Sequence, residues 1–184
     1  MQIFTTSGER AAGFPMEGSK KLSAMLSAAV IAIAVNTFML KIAPVIKIKA
    51  GAGGLFGLLK KHYGTAFTEV GLSGAWTALG LPQPGTLLFY ILFHSFIGFM
   101  MSILYVYAIE KYLAGTGIRK GAVFSMLPWL FNSIVVLPML GNGFAGSRVI
   151  GLVGITYFFI ANGVFGILLG YLYERFSRCL VKDR

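Results

Sequence analysis

Residues able to do chemistry are few in this 184-residue chain: six carboxylates, two histidines (His62 and His94) and one cysteine, Cys179. The sequence holds no H-E-x-x-H pair and no cysteine–histidine spacing of a metal site. No serine has a convincing base and orienting acid, and no two carboxylates fall together inside an apolar run. Hydrolytic and group-transfer chemistry therefore lack their usual machinery, and the chain is expected not to be an enzyme. Gly51-Ala52-Gly53-Gly54 lacks the Gly-Lys-Ser/Thr that completes a phosphate-binding loop and reads instead as a flexible stretch. Cys179 follows the last apolar run, where a juxtamembrane cysteine can be acylated, although an incidental small residue is the simpler reading.

His94 stands apart, because it is the one ionisable group well inside a long uncharged run. A charge at the centre of a bilayer costs at least about 2.5–3.5 kcal/mol, so such a group is the first place to look for function. Asn36, Asn132 and Asn162 lie inside three other apolar runs. With both termini on one side, Asn36 and Asn132 fall near the depth of His94 and Asn162 lies deeper, so the four form a candidate polar layer. The functional reading of that layer is a site for a small ligand, a proton or an ion. The structural reading, which is favoured, is interhelical hydrogen bonding that sets helix register, at about 0.6 kcal/mol per contact. Haem held by two histidines would need His62 at similar depth, and it lies in a connecting segment. The default expectation is therefore that this chain alone binds no cofactor, with shared ligation by a partner subunit left open.

The elements that must position these residues are read from the charge pattern. The chain is 57% hydrophobic and 12% charged, against about 25% charged in ordinary soluble domains. Its lysines and arginines sit between long uncharged runs, as expected when each run lies in hydrocarbon. Four transmembrane helices are predicted, over about 22–40, 87–109, 122–140 and 149–173. The fold class is thus all-α, an integral membrane bundle. About 20 residues at 1.5 Å each match a hydrocarbon core of roughly 30 Å. Residues 1–21 read as a polar N-terminal arm and 175–184 as a basic C-terminal tail. The first run starts too far along and is too long for a cleaved leader, so it is expected to be retained. Pro128 and Pro138 are expected to kink or shorten the third helix.

Residues 41–86 form a long, partly helical connection, read as interfacial or re-entrant. Thr65, Glu69, Ser73 and Thr77 recur every fourth residue in it, as on one helix face, although Leu72 and Trp76 blur the pattern. A possible internal repeat links the second and fourth helices, where His94-Ser95-Phe96-Ile97-Gly98 with Tyr105 beyond parallels Asn162-Gly163-Val164-Phe165-Gly166 with Tyr173 beyond. Asn36-Thr37-Phe38 with Pro44 likewise parallels Asn132-Ser133-Ile134 with Pro138, so two tandem helical hairpins are one reading, at even odds with chance.

Small residues at a spacing of four mark helix-packing faces: Ala28 and Ala32, Gly98 and Ser102, Gly121 and Ser125, Gly166 and Gly170. In lipid, close backbone approach replaces the hydrophobic drive that apolar helices lack for one another. The last stripe runs on from Asn162 to Glu174. Whether these faces meet inside one chain or across two is left open.

The net charge of +10 flanks apolar segments instead of gathering on one stripe, which argues against a nucleic-acid partner and for anionic lipid headgroups. Ten basic residues fall in the arm, the middle loop (Lys111, Arg119, Lys120) and the tail; six fall opposite, Lys41, Lys47, Lys49, Lys60, Lys61 and Arg148. This count favours both termini in the cytoplasm, with the protein in a cytoplasmic-type membrane. The expected function is that of an accessory or structural subunit of a larger membrane complex, partnered by other subunits or by copies of itself. A small oligomeric transporter or channel using the His94 layer is the alternative, and an intramembrane enzyme ranks third.

Overall fold

The computed structural model describes residues 18–50, 54–69 and 71–182. Their regular structure is all helical, with no strand among the described residues: α1 Gly18–Ile42, α2 Gly54–Glu69, α3 Leu72–Ala78, α4 Leu87–Tyr112, α5 Gly117–Met139 and α6 Gly151–Lys182. α1, α4, α5 and α6 are each long and apolar enough to cross a membrane, as a multi-pass membrane protein requires. The stretch 51–53 lies outside the described residues, so the reading of Gly51-Ala52-Gly53-Gly54 rests there on Gly54 alone.

Helix ends differ from the hydropathy boundaries because tertiary contacts extend them. α1 starts at Gly18, before the apolar run, and its Lys20 Nζ donates to the carbonyl of Leu180 at 2.8 Å. That bond needs a helix where a tail was expected. α6 indeed continues through Arg175 to Lys182, supported by an ion pair between Glu174 and Arg178 one turn apart and by Phe176 and Leu180 packing on the core. Its start moves from 149 to Gly151, because the loop closes through a short turn at Phe144–Gly146, and the Gly146 carbonyl takes the amides of both Val149 and Ile150. α6 is thus about 48 Å long, well beyond a bilayer core.

α6 is the centre of the packing, lying between α1 and α5, while α1 lies between α6 and α4. The α5–α6 seam is made of glycine. A methyl built on Gly121 would sit 1.9 Å from the carbonyl oxygen of Gly166, and one on Gly170 would sit 2.1 Å from that of Gly117. Ser125, fully buried, closes the far side of Gly166. At the end of this seam Glu174 Oε2 accepts from the backbone amide of Gly117 at 2.5 Å. A carboxylate from α6 thereby caps the first turn of α5, where the helix dipole favours negative charge. Glu174→Ala is accordingly expected to lower stability by about 1 kcal/mol, read as an earlier thermal unfolding midpoint in detergent.

On the other side of α6, Ala28 and Ala32 of α1 are fully buried. A methyl on Gly98 of α4 would meet the Ile33 side chain of α1 at 2.6 Å, while Ser102 is buried with its hydroxyl donating to the Gly98 carbonyl. Tyr157 of α6 donates to the Met39 carbonyl of α1 at 2.6 Å. Tyr157→Phe is expected to cost about 0.6–1.7 kcal/mol, read by the same unfolding measurement.

Neither proline shortens α5. Pro128 lies in its α-helical part, a π-helical stretch covers Asn132–Val136, and helix resumes over Leu137–Met139 around Pro138. The wider turns accommodate the hydrogen bonds that proline cannot make. α4 also ends in a π-helical stretch, Leu104–Ile109. In the connection, Gly71 adopts φ +73 and separates α2 from α3. Thr65 and Glu69 therefore belong to one helix, Ser73 and Thr77 to another, and the four-residue spacing marks no common face.

Candidate functional site

Between the spans lies a cavity of about 140 Å³. Asn36, His94, Asn132 and Asn162 all line it, supplied by α1, α4, α5 and α6 in turn. At 1.5 Å per residue, Asn36, His94 and Asn132 sit about 10 Å in from the helix ends on the α1–α4 connection side. Asn162 is deeper.

The amide orientations follow from backbone carbonyls, which can only accept. Asn36 Nδ2 donates to the Ala161 carbonyl at 2.8 Å, tying α1 to α6. Asn132 Nδ2 donates to the Pro128 carbonyl at 3.0 Å, and Asn162 Nδ2 donates to that of Phe158 at 2.8 Å, each four residues back on its own helix. All three side chains therefore present Oδ1 as an acceptor. His94 Nε2 lies 3.0 Å from Asn36 Oδ1, so Nε2 carries the hydrogen and donates. In the neutral imidazole, Nδ1 is then an acceptor. One continuous chain of hydrogen bonds links α4 to α1 to α6.

Tyr90 supports the histidine from one turn earlier on α4, with its ring parallel to the imidazole at 6.2 Å between centroids. Lys41 Nζ in turn lies 4.2 Å from the centre of the Tyr90 ring. Neither residue stood out from the sequence, although Tyr90 lies four residues before His94 and so must share its helix face.

Aromatic side chains line the cavity on the α2 side and pack together beyond it on the other. Towards the start of α1, Tyr105 of α4 is fully buried, 5.0 Å from the ring of Phe124 and 6.3 Å from that of Tyr173. Beyond it, Glu110 and Lys120 form an ion pair that joins α4 to α5. At the opposite end the first turn of α2 enters between α4 and α5. Gly54 packs against Val136 and Leu137 there, and Phe56 contacts Phe89 and Phe93 at 4.9 and 5.5 Å. The sequence carried no sign of this insertion, since Gly54 follows an irregular glycine run and Phe56 belongs to an ordinary apolar stretch.

The chain matches no family model, no curated protein and no solved structure. Chemical reading of the cavity therefore rests on its lining alone. A volume of this size has room for several waters or one small solute, because a single water needs only about 10–15 Å³, and its lining is mostly apolar with the four polar side chains set into it. Among the described residues no Asp, Glu, Ser or Cys lines it, and Tyr90 is the other ionisable side chain beside His94. His62 sits on the exposed side of α2, near the Leu58 carbonyl at 3.1 Å, and does not line the cavity. Among the described residues no group of His, Cys, Asp or Glu is arranged to hold a metal ion. Cys179 is exposed near the end of α6, far in sequence from every lining residue.

Proposed function

We propose that this chain is a non-enzymatic membrane subunit that assembles with other membrane helices through α4. The observation that carries this reading is the uneven burial of the four spans. In the apolar stretches of α1, α5 and α6, 33–39% of residues are buried, whereas in α4 the share is 6%. α4 rests on α1 through Gly98 and on the bundle end through Tyr105, and leaves Met100, Ile103 and Tyr107 exposed along its outer side. Small-residue seams have already satisfied α1, α5 and α6 within the chain, so α4 is the helix with contact surface to spare.

In this reading the His94–Asn36 bond serves assembly as well. It is the side-chain hydrogen bond that holds α4 to α1, and it fixes the rotation at which α4 presents its outer face. Both termini lie in the cytoplasm by the lysine and arginine count, and residues 41–86 lie at or within the opposite membrane surface.

Mild extraction from native membranes, native-gel separation and mass spectrometry of whatever migrates with the chain tests the proposal. Stoichiometric larger membrane subunits are expected. A homo-oligomer alone would instead favour the second reading, a small transporter, which the four polar side chains converging on the 140 Å³ cavity support. Flux through vesicles that His94→Ala abolishes without loss of folded protein would then establish it.

A further inference from the structure

A second concavity, of about 830 Å³, opens sideways between α2, α3 and the first three turns of α4. We infer that it binds one acyl chain of an anionic phospholipid, with the headgroup phosphate at Lys60. The walls are apolar and largely aromatic. Phe89 and Phe93 stack at 6.0 Å on the α4 side, Phe56 meets both, and Leu92 and Phe96 continue the wall deeper along the span. Trp76 of α3 forms the roof, edge-on to Phe89 at 6.0 Å, with its indole nitrogen donating to the Pro82 carbonyl at 2.9 Å.

From Phe89 to Phe96 the wall runs about 10 Å along the axis of a helix that spans the bilayer. It is therefore parallel to the lipid chains. A void of this volume inside hydrocarbon would forfeit the dispersion contacts of its whole lining, so a chain of the surrounding leaflet fills it. Its size lies within the 300–1,000 Å³ range of small-ligand sites. The polar side chains of the lining are few, Lys60 and Tyr63 on α2 and Thr77 and Gln83, the last donating its Nε2 to Thr77 Oγ1 at 3.2 Å.

Charge selects the headgroup. Lys60 lines the groove and is exposed, and Lys61 beside it is turned away, its ammonium donating to the Met139 carbonyl at 2.9 Å. The flanking sequence adds Lys47 and Lys49, against Glu69 as the one acid in 41–86. The groove takes the part of the outer face of α4 nearest the α1–α4 connection, Phe89 to Phe96, and leaves the deeper continuation of that face, Met100 to Tyr107, to the partner proposed above.

Trp76 supplies the probe, because bromine atoms on an acyl chain quench indole fluorescence on contact. The full-length protein is placed in phosphatidylcholine vesicles that contain an equal fraction of brominated phosphatidylglycerol or brominated phosphatidylcholine. The Trp76 signal is taken as the difference between wild type and Trp76→Phe, or directly in Trp129→Phe. Quenching should show about a fivefold preference for the anionic lipid, the scale expected for one lysine at an anionic headgroup. Lys60→Gln should bring the preference close to unity, and Lys47→Gln should leave it. Equal quenching by both lipids, a preference that survives Lys60→Gln, or no quenching of Trp76 at all would overturn the inference.

Discussion

Gly121→Ala is expected to be the most damaging single methyl that can be added to this protein, lowering its stability by about 3 kcal/mol or more. Overpacking a close-packed core ordinarily costs about 1–3 kcal/mol, because neighbouring side chains can shift. At Gly121 the obstacle is backbone: the new carbon would lie 1.9 Å from the Gly166 carbonyl oxygen, and no rotamer change relieves it. α5 and α6 must separate, and the Glu174 cap on Gly117 and the Tyr105–Phe124–Tyr173 cluster are disturbed with them. Gly166→Ala and Gly170→Ala should behave alike, with carbonyls at 2.3 and 2.1 Å. Two other glycines calibrate the series. Gly98→Ala meets only the Ile33 side chain and should cost less, whereas Gly163 has nothing within 4 Å and should accept alanine at no cost or with a slight gain. Thermal or steric-trap unfolding in detergent reads the ranking. Equal stability of Gly121→Ala and Gly163→Ala would mean that α5 and α6 do not pack through these glycines.

Asn36→Ala is expected to cost about 2–4 kcal/mol, more than any other change in the polar layer. Asn36 is 6% exposed and is the one side chain bonded to two other spans, through the Ala161 carbonyl and through His94. Its removal orphans the His94 Nε2–H in a low-dielectric setting, at about 1–3 kcal/mol, and also takes from the Ala161 carbonyl the bond it accepts beyond that of its own helix, at about 0.6–1.7 kcal/mol. His94→Ala removes only the second bond and should cost about 0.6–1.7 kcal/mol. Because the two side chains share that bond, the double variant should be less destabilised than the sum of the singles. Full additivity in the double-mutant cycle would show that Asn36 and His94 do not interact.

The four spans were legible because bilayer thickness and the exclusion of charge impose a pattern that needs no tertiary information. The start of α4 at Leu87 was legible too, because its cap is local: Thr86 accepts from the Phe89 amide. Other ends were not, since contacts from elsewhere in the chain set them: Glu174 caps α5 from another helix and Lys20 reaches the last turns of α6. The small-residue spacing at 121, 125, 166 and 170 was visible, but which stripe meets which was not. Gly117, whose backbone lies against Gly170, escaped notice because it sits outside the apolar run. Gly154, where a methyl would lie 2.0 Å from the Lys49 carbonyl, was missed for a related reason: its neighbour is an irregular segment with no period.

The polar residues at 36, 94, 132 and 162 could be singled out by type and depth alone. Their pairing could not, because it depends on helix rotation. That rotation is set by Gly98 against Ile33 and by the glycine seam. The connection was least legible of all. A spacing of four across 65–77 suggested one helix face, and a single left-handed glycine at 71 divides it. Local periodicity carries no information about such a break unless the turn residue is recognised.

The central claim, that α4 is covered by partner helices in the native membrane, is tested most directly by spin labels placed singly at Met100, Ile103 and Tyr107 in a Cys179→Ser background. Relaxation by oxygen dissolved in the lipid reports which positions face acyl chains. In native membranes the α4 labels should be shielded, while labels at Val123 and Leu127, exposed on α5, remain accessible. Reconstitution of the purified chain alone should restore access to α4. Equal oxygen accessibility at α4 and α5 in native membranes would contradict the account.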